Sequence, residues 1–119
     1  MLVRQDGSLL VGSEQGTARF SADRFIPFPP EYPDVARQAV LSLAETREGI
    51  TLLGTRSGLV GLKGMARTIL DQRDGMPQNE ITAIGEAPDG ALWLGSPNSG
   101  VTRVRQWTRK AAHAGFDRA

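Results

Sequence analysis

The sequence predicts an all-β protein, a partial β-propeller of about three four-stranded antiparallel blades. Three observations predict it. One turn-plus-strand phrase recurs three times at a nearly constant period, glycine returns at the same turn positions in each recurrence, and 14 Gly and 7 Pro stand against only 7 aromatics. Such a composition favours many short strands joined by tight turns over long helices.

The phrase reads QDGSLLVGSEQGTARF at 5–20, REGITLLGTRSGLVGL at 47–62 and PDGALWLGSPNSGVTRV at 88–104, with one residue inserted in the last copy. Gly7, Gly49 and Gly90 align, as do Gly12, Gly54 and Gly95, and then Gly16, Gly58 and Gly100. Phe20, Leu62 and Val104 keep the same spacing, and a small hydroxyl residue (Ser13, Thr55, Ser96) follows the second glycine each time. A fixed period of this length is the signature of a repeat architecture.

Each copy contains four extended segments. The first is Val40–Leu43 in copy two and Ile81–Ile84 in copy three, and it is cut short at Met1 in copy one. Asp6-Gly7, Glu48-Gly49 and Asp89-Gly90 form the first hairpin, where glycine supplies the positive φ of a tight turn. The second strand is almost continuously apolar (Leu9-Leu10-Val11, Leu52-Leu53, Leu92-Trp93-Leu94), as expected for burial on both faces. Second turns at Glu14-Gln15-Gly16, Arg56-Ser57-Gly58 and Asn98-Ser99-Gly100 lead to the third strand. The fourth segments are 24–28, 67–70 and 106–108. Residues 33–39 have room for one or two helical turns and are assigned as connector. The expected division is blade one over 1–39, blade two with its link over 40–80, blade three over 81–108, and a disordered tail over 109–119.

Charge narrows the functional classes. Lys and Arg number 14 against 13 Asp and Glu, so no overall field steers the protein to nucleic acid or a membrane surface. No apolar run approaches the ~20 residues of a membrane helix, and no signal peptide precedes the first turn. Without cysteine there is no thiolate metal site or cysteine nucleophile. The lone His113 sits in the tail without neighbouring ligands, and Asp6, Glu48 and Asp89 recur because turns favour them. Catalytic residues, metal ligands and cofactors are therefore expected to be none. Trp93 is assigned to core packing, Trp107 to packing on a more exposed strand, and the basic group Arg103, Arg105, Arg109 and Lys110 to a solvated face.

The third copy carries a fuller pattern: Gly75-Met76-Pro77 before a strand, Asp89-Gly90-Ala91-Leu92-Trp93-Leu94-Gly95-Ser96 across a hairpin, then Gly100-Val101. This resembles the two-component regulator propeller repeat, with Ser96 where threonine is usual. Copies one and two lack the tryptophan and the Gly-Met-Pro link. The resemblance implies the extracytoplasmic, periplasmic sensing part of a histidine kinase, hybrid sensor or diguanylate cyclase, and for some family members a saccharide ligand. The output domain and membrane anchor lie outside these residues, so the chain is expected to be a fragment.

Three blades fall short of a closed ring, which needs about four to eight. The expected partners are further blades in a parent chain or other copies in a homo-oligomer. A small molecule is the expected ligand, with no nucleic acid and no membrane contact. In a meander the second-to-third hairpins and the inter-blade links share one rim, and their residues vary between copies while the Asp-Gly end stays fixed. The candidate ligand-binding rim is Glu14, Gln15, Arg56, Ser57, Asn98, Ser99, Arg73 and Asn79, flanked by Asp74 and Gln78. The functional reading is a non-catalytic sensing segment of a bacterial signalling receptor. A stand-alone interaction scaffold is the alternative, and a lyase or quinoprotein-type enzyme has the least support.

Overall fold

In a computed structural model the described residues are 1–21, 23–64, 66–74, 80–97, 100–104 and 116–118. They form three four-stranded antiparallel sheets, the blades of a partial propeller. Blade one is β1 (Leu2–Val3), β2 (Leu9–Ser13), β3 (Gly16–Ser21) and β4 (Arg24–Pro27). Blade two is β5 (Val40–Glu45), β6 (Thr51–Thr55), β7 (Gly58–Lys63) and β8 (Ala66–Leu70). Blade three is β9 (Ala83–Glu86), β10 (Leu92–Ser96), β11 (Gly100–Val104) and β12 (Phe116–Arg118). The connector between the first two blades is a single helical turn, α1 (Pro33–Ala36), begun by proline and burying Val35 and Ala36. Among the described residues no helix is long and apolar enough to cross a membrane.

The first hairpins are built alike. Arg4, Thr46 and Ala87 each donate an N–H to the carbonyl four residues on (Ser8, Ile50, Ala91), and each accepts from the glycine three residues on. Gly7, Gly49 and Gly90 hold φ of 88°, 87° and 89°. That left-handed conformation strains any residue with a Cβ, which is why glycine recurs there.

The core lies between the blades. On one side of blade two, Leu52, Leu59 and Leu70 pack with Leu92, Leu94 and Val104 of blade three, with Ile81 beside them. On the other side, Leu53, Val60 and Leu62 pack with Val35 and half-buried Phe28, Tyr32 and Leu43. All five residues of β6 are buried. Each fully buried leucine contributes about 1.5–3 kcal/mol relative to an exposed one.

Close approach of the blades requires glycine. A Cβ on Gly12 would stand 2.7 Å from Val40 Cγ1, and one on Gly54 would overlap Ser42 Oγ and the carbonyl of Ile81. One backbone and one side-chain bond reinforce the contact, since Ile81 N–H donates to Thr55 O at 3.1 Å and Ser42 Oγ, from the same blade as Gly54, donates to Ile81 O at 2.9 Å.

Two expectations are corrected. Continuous burial of the second strand holds in β6 but fails in β2, where Leu10 is buried and Leu9 and Val11 are half-buried, and in β10, where Leu92 and Leu94 are buried and Trp93 is 38% exposed. Trp93 is therefore not a buried core residue among the described residues. Strand alternation turns it to the face that carries no fourth blade, and Arg103 lies over its ring at 5.8 Å. The tail was expected to stand outside the fold, yet Phe116–Arg118 pairs with Val104, Arg103 and Thr102 as the outer strand of blade three. Sheet edges recruit strands through backbone groups that every residue carries, so the tail's lack of repeat resemblance did not exclude it. The segment 106–108, Trp107 and His113 lie outside the described residues.

Gly54→Ala is expected to destabilise by about 1–3 kcal/mol through overpacking at the blade junction. Gly85→Ala, where an added Cβ meets nothing within 4 Å, is expected to be neutral or slightly stabilising. Urea denaturation of the two variants measures the contrast. Leu52→Ala, which opens a cavity in the same junction, is expected to cost about 2–5 kcal/mol in that assay.

Candidate functional site

The rim of second-to-third hairpins is held from within. In blade two, Thr55 Oγ1 donates to Gly58 O at 2.8 Å and accepts from Ser57 N–H at 3.1 Å. In blade one, Ser13 Oγ repeats both bonds, to Gly16 O at 3.5 Å and from Gln15 N–H at 3.1 Å. The repeated hydroxyl is thus a turn device. Because it satisfies the turn's polar groups, the side chains of Glu14, Gln15, Arg56 and Ser57 are left at the surface, and all four residues are exposed.

Glycine seats these turns on the inter-blade links. A Cβ on Gly16 would overlap the carbonyl of Ala36, and one on Gly58 the carbonyl of Leu70. Hairpins and links therefore meet at one end, as the topology requires. The structure brings Glu14 and Arg56 together across the first junction at 3.7 Å, with side chains 83% and 52% exposed. An ion pair so exposed contributes at most about 1 kcal/mol.

Arg73 lies in a 3-10 turn (Gln72–Asp74) on the link that leaves blade two. Its guanidinium meets Asp71 at 2.7 Å and its N–H donates to the same carboxylate at 2.9 Å. These bonds hold the Asp71 carboxyl below the usual carboxylate range. Asn79, Asn98, Ser99 and Gln78 lie outside the described residues. Among the described residues no three His, Cys, Asp or Glu side chains gather to hold a metal ion.

The opposite end carries a second arrangement, which spans neighbouring blades. Gln5 N–H donates to the Glu45 carboxylate of the next blade at 2.6 Å, and Gln5 Nε2 reaches Thr46 O at 3.2 Å. One blade later, Arg47 N–H donates to the Glu86 carboxylate at 2.9 Å, and its guanidinium reaches the carbonyls of Ala87 and Pro88 at 3.0 and 2.8 Å. Each is a latch from one blade's turn to the first strand of the next. The sequence signal was a glutamate ending the first strand in copies two and three.

Beside the first latch, Arg4 pairs with Asp6 at 2.8 Å, donates to Thr51 Oγ1 at 3.4 Å and covers the Phe28 ring at 5.0 Å. A cleft of about 460 Å³ opens here, lined by Arg4, Phe28, Tyr32, Glu45 and Thr51 among others. Bonds from Arg4 and then Ser8 hold the Asp6 carboxyl well below the usual carboxylate range. The Asp-Gly end is therefore tied by charged bonds, whereas the described rim residues at the other end keep their polar groups at the surface.

The model of the two component regulator propeller family matches residues 75–98, the same third repeat whose motif the sequence displays. No curated protein matches the chain. A solved structure described as the extracellular domain of a hybrid two component system from B. thetaiotaomicron is similar, with a TM-score of 0.73 at 19% identity. The alignment covers 87% of this chain and 14% of that one, so this chain spans a small part of the other's length.

Two outcomes follow from the charged groups. Asp6 and Asp71 both titrate below the unfolded value of about 3.9. Their stabilisation is present above about pH 4 and is lost as pH falls through the folded-state values. Asp6→Asn and Asp71→Asn are expected to flatten the acid-side fall in Tm, measured by thermal melts from pH 7 to pH 2. Glu86→Gln, which weakens the charged acceptor for Arg47, is expected to cost about 1 kcal/mol in urea denaturation.

Proposed function

We propose that this chain, which carries a two component regulator propeller repeat over residues 75–98, is a non-catalytic sensing segment of a bacterial two-component receptor. The observation that carries the reading is the match of that repeat together with the shared fold of a protein described as the extracellular domain of a hybrid two component system. An extracytoplasmic location accords with it. In this reading the rim formed by Glu14, Gln15, Arg56, Ser57 and Arg73 meets the ligand, and Asn79, Asn98 and Ser99 are further candidates from the repeat alignment.

Physical contrast between the ends supports that choice. The Asp-Gly end uses its polar groups on neighbouring blades, so a ligand there competes with formed latches. At the rim, an exposed cation and carboxylate stand 3.7 Å apart beside surface amide and hydroxyl groups. Such a set suits a polar small molecule that accepts and donates hydrogen bonds, and exchanging a water-exposed pair for ligand contacts costs little.

The test is a thermal-shift screen of the purified chain against neutral and acidic oligosaccharides, followed by calorimetric titration of any hit. Arg56→Ala and Glu14→Ala are expected to weaken binding at least about tenfold, the effect of losing about 1.4 kcal/mol. Binding that survives both substitutions unchanged removes the rim from the proposal. Turnover of the bound compound removes the non-catalytic assignment.

A further inference from the structure

The junction of blades one and two and the junction of blades two and three share one architecture and differ in their interiors. At matching repeat positions, the second has Thr46, Gly61 and Leu92 where the first has Arg4, Arg19 and Thr51. Ile50 and Leu59 of the second are likewise replaced by Ser8 and Thr17 in the first. In the second junction Ile50, Leu59 and Leu92 belong to one apolar cluster. The first opens instead into the cleft of about 460 Å³ lined by Arg4, Arg19, Phe28, Tyr32 and Thr51 among others.

Polar groups between two sheets are costly unless they are bonded. The Arg4 side chain is 15% exposed, and its guanidinium is short of acceptors. Nη2 meets Asp6 at 2.8 Å, Nη1 reaches Thr51 Oγ1 only at 3.4 Å, and the buried Nε has no partner among the described residues. An acceptor oxygen in the cleft completes that set.

The lining also narrows the class of ligand. Two arginines, Arg4 and Arg19, stand with three carboxylates, Asp6, Glu31 and Glu45, so charge nearly cancels. Asp6 is paired with Arg4, and Glu45 accepts the N–H of Gln5. Walls of this kind offer donors and acceptors side by side. Hydroxyl groups answer both, since each donates one hydrogen bond and accepts others. The rings of Phe28 and Tyr32 add an apolar wall that suits the C–H face of a saturated ring.

We propose that the cleft between blades one and two binds an uncharged ring polyol of monosaccharide size, held on Arg4, Thr51 and Phe28. The Gln5–Glu45 latch stays formed, because the acceptor is supplied to the Arg4 guanidinium. Every lining residue belongs to these two blades or to their link, so the site depends neither on the rim nor on a further blade.

Amide-resolved NMR titration of the isotope-labelled 119-residue chain with D-glucose, D-galactose and myo-inositol tests it, with D-glucuronate and D-glucosamine as charged counterparts. The expected result is saturable shifts centred on Arg4, Phe28 and Thr51 with at least one of the neutral compounds, and binding at least about tenfold weaker for the charged ones. Thr51→Leu, which gives the first junction the residue of the second, is expected to weaken binding at least about tenfold with the circular dichroism spectrum unchanged. Arg4→Lys keeps a cation beside Asp6 and removes the fork of donors, and is expected to weaken binding by a similar factor. Each variant serves if the other fails to fold. Arg56→Ala on the rim is expected to leave these shifts in place, so failure at the rim and failure here are read separately. Absence of saturable shifts with all three neutral compounds, shifts centred on the rim hairpins, tighter binding of a charged counterpart, or affinity unmoved by Thr51→Leu and Arg4→Lys each overturns the proposal.

Discussion

The contact on which the rest of the structure depends is the seating of one blade's inner strand on a glycine of the blade before it. Gly12 admits Val40, and Gly54 admits Ile81, so the sheets approach until leucines from both close the space between them. A side chain at either glycine would hold the blades apart, and the apolar clusters flanking blade two would lose their partners. Much of the described core lies between blades, so the fold is a stack of junctions in which each blade relies on its neighbours.

The two ends of the stack divide the polar work. Charged and backbone groups at the Asp-Gly end span the junctions, with Glu45 and Glu86 accepting the amide N–H groups of Gln5 and Arg47. At the opposite end, Ser13 and Thr55 satisfy their own turns. A propeller built this way keeps one rim as a fastening and leaves the other to vary, since substitutions at residues 14, 15, 56 and 57 disturb no buried group. Function on such a scaffold is expected where the sequence is free to change without cost to the junctions.

Repeat position also explains why chemically similar residues meet different fates. Leu10, Leu52 and Trp93 share a register, and so do Phe20, Leu62 and Val104. Leu62 and Val104 are buried, and Phe20 is 38% exposed, as is Trp93. Blade one and blade three each have one neighbour, and the residues aimed at the missing neighbour are large and apolar. The surface they form is the unfinished side of a core.

The sequence by itself determined the number of blades, their antiparallel order, the two classes of turn and the end on which each lies. Those properties follow from local chemistry: glycine at positive φ, acidic turn residues and apolar strands are written at fixed spacing. It also located Glu14, Gln15, Arg56 and Ser57 on one rim, because topology alone decides that. Tertiary structure decided what spacing does not encode. The exposure of Trp93 depends on whether a further blade is present, and an apolar strand looks the same with one neighbour or two. The pairing of Phe116–Arg118 with β11 uses backbone groups that leave no mark in side-chain pattern. The latches join residues 40 and 39 positions apart in the chain, and only the stacking of blades brings those partners within bonding distance.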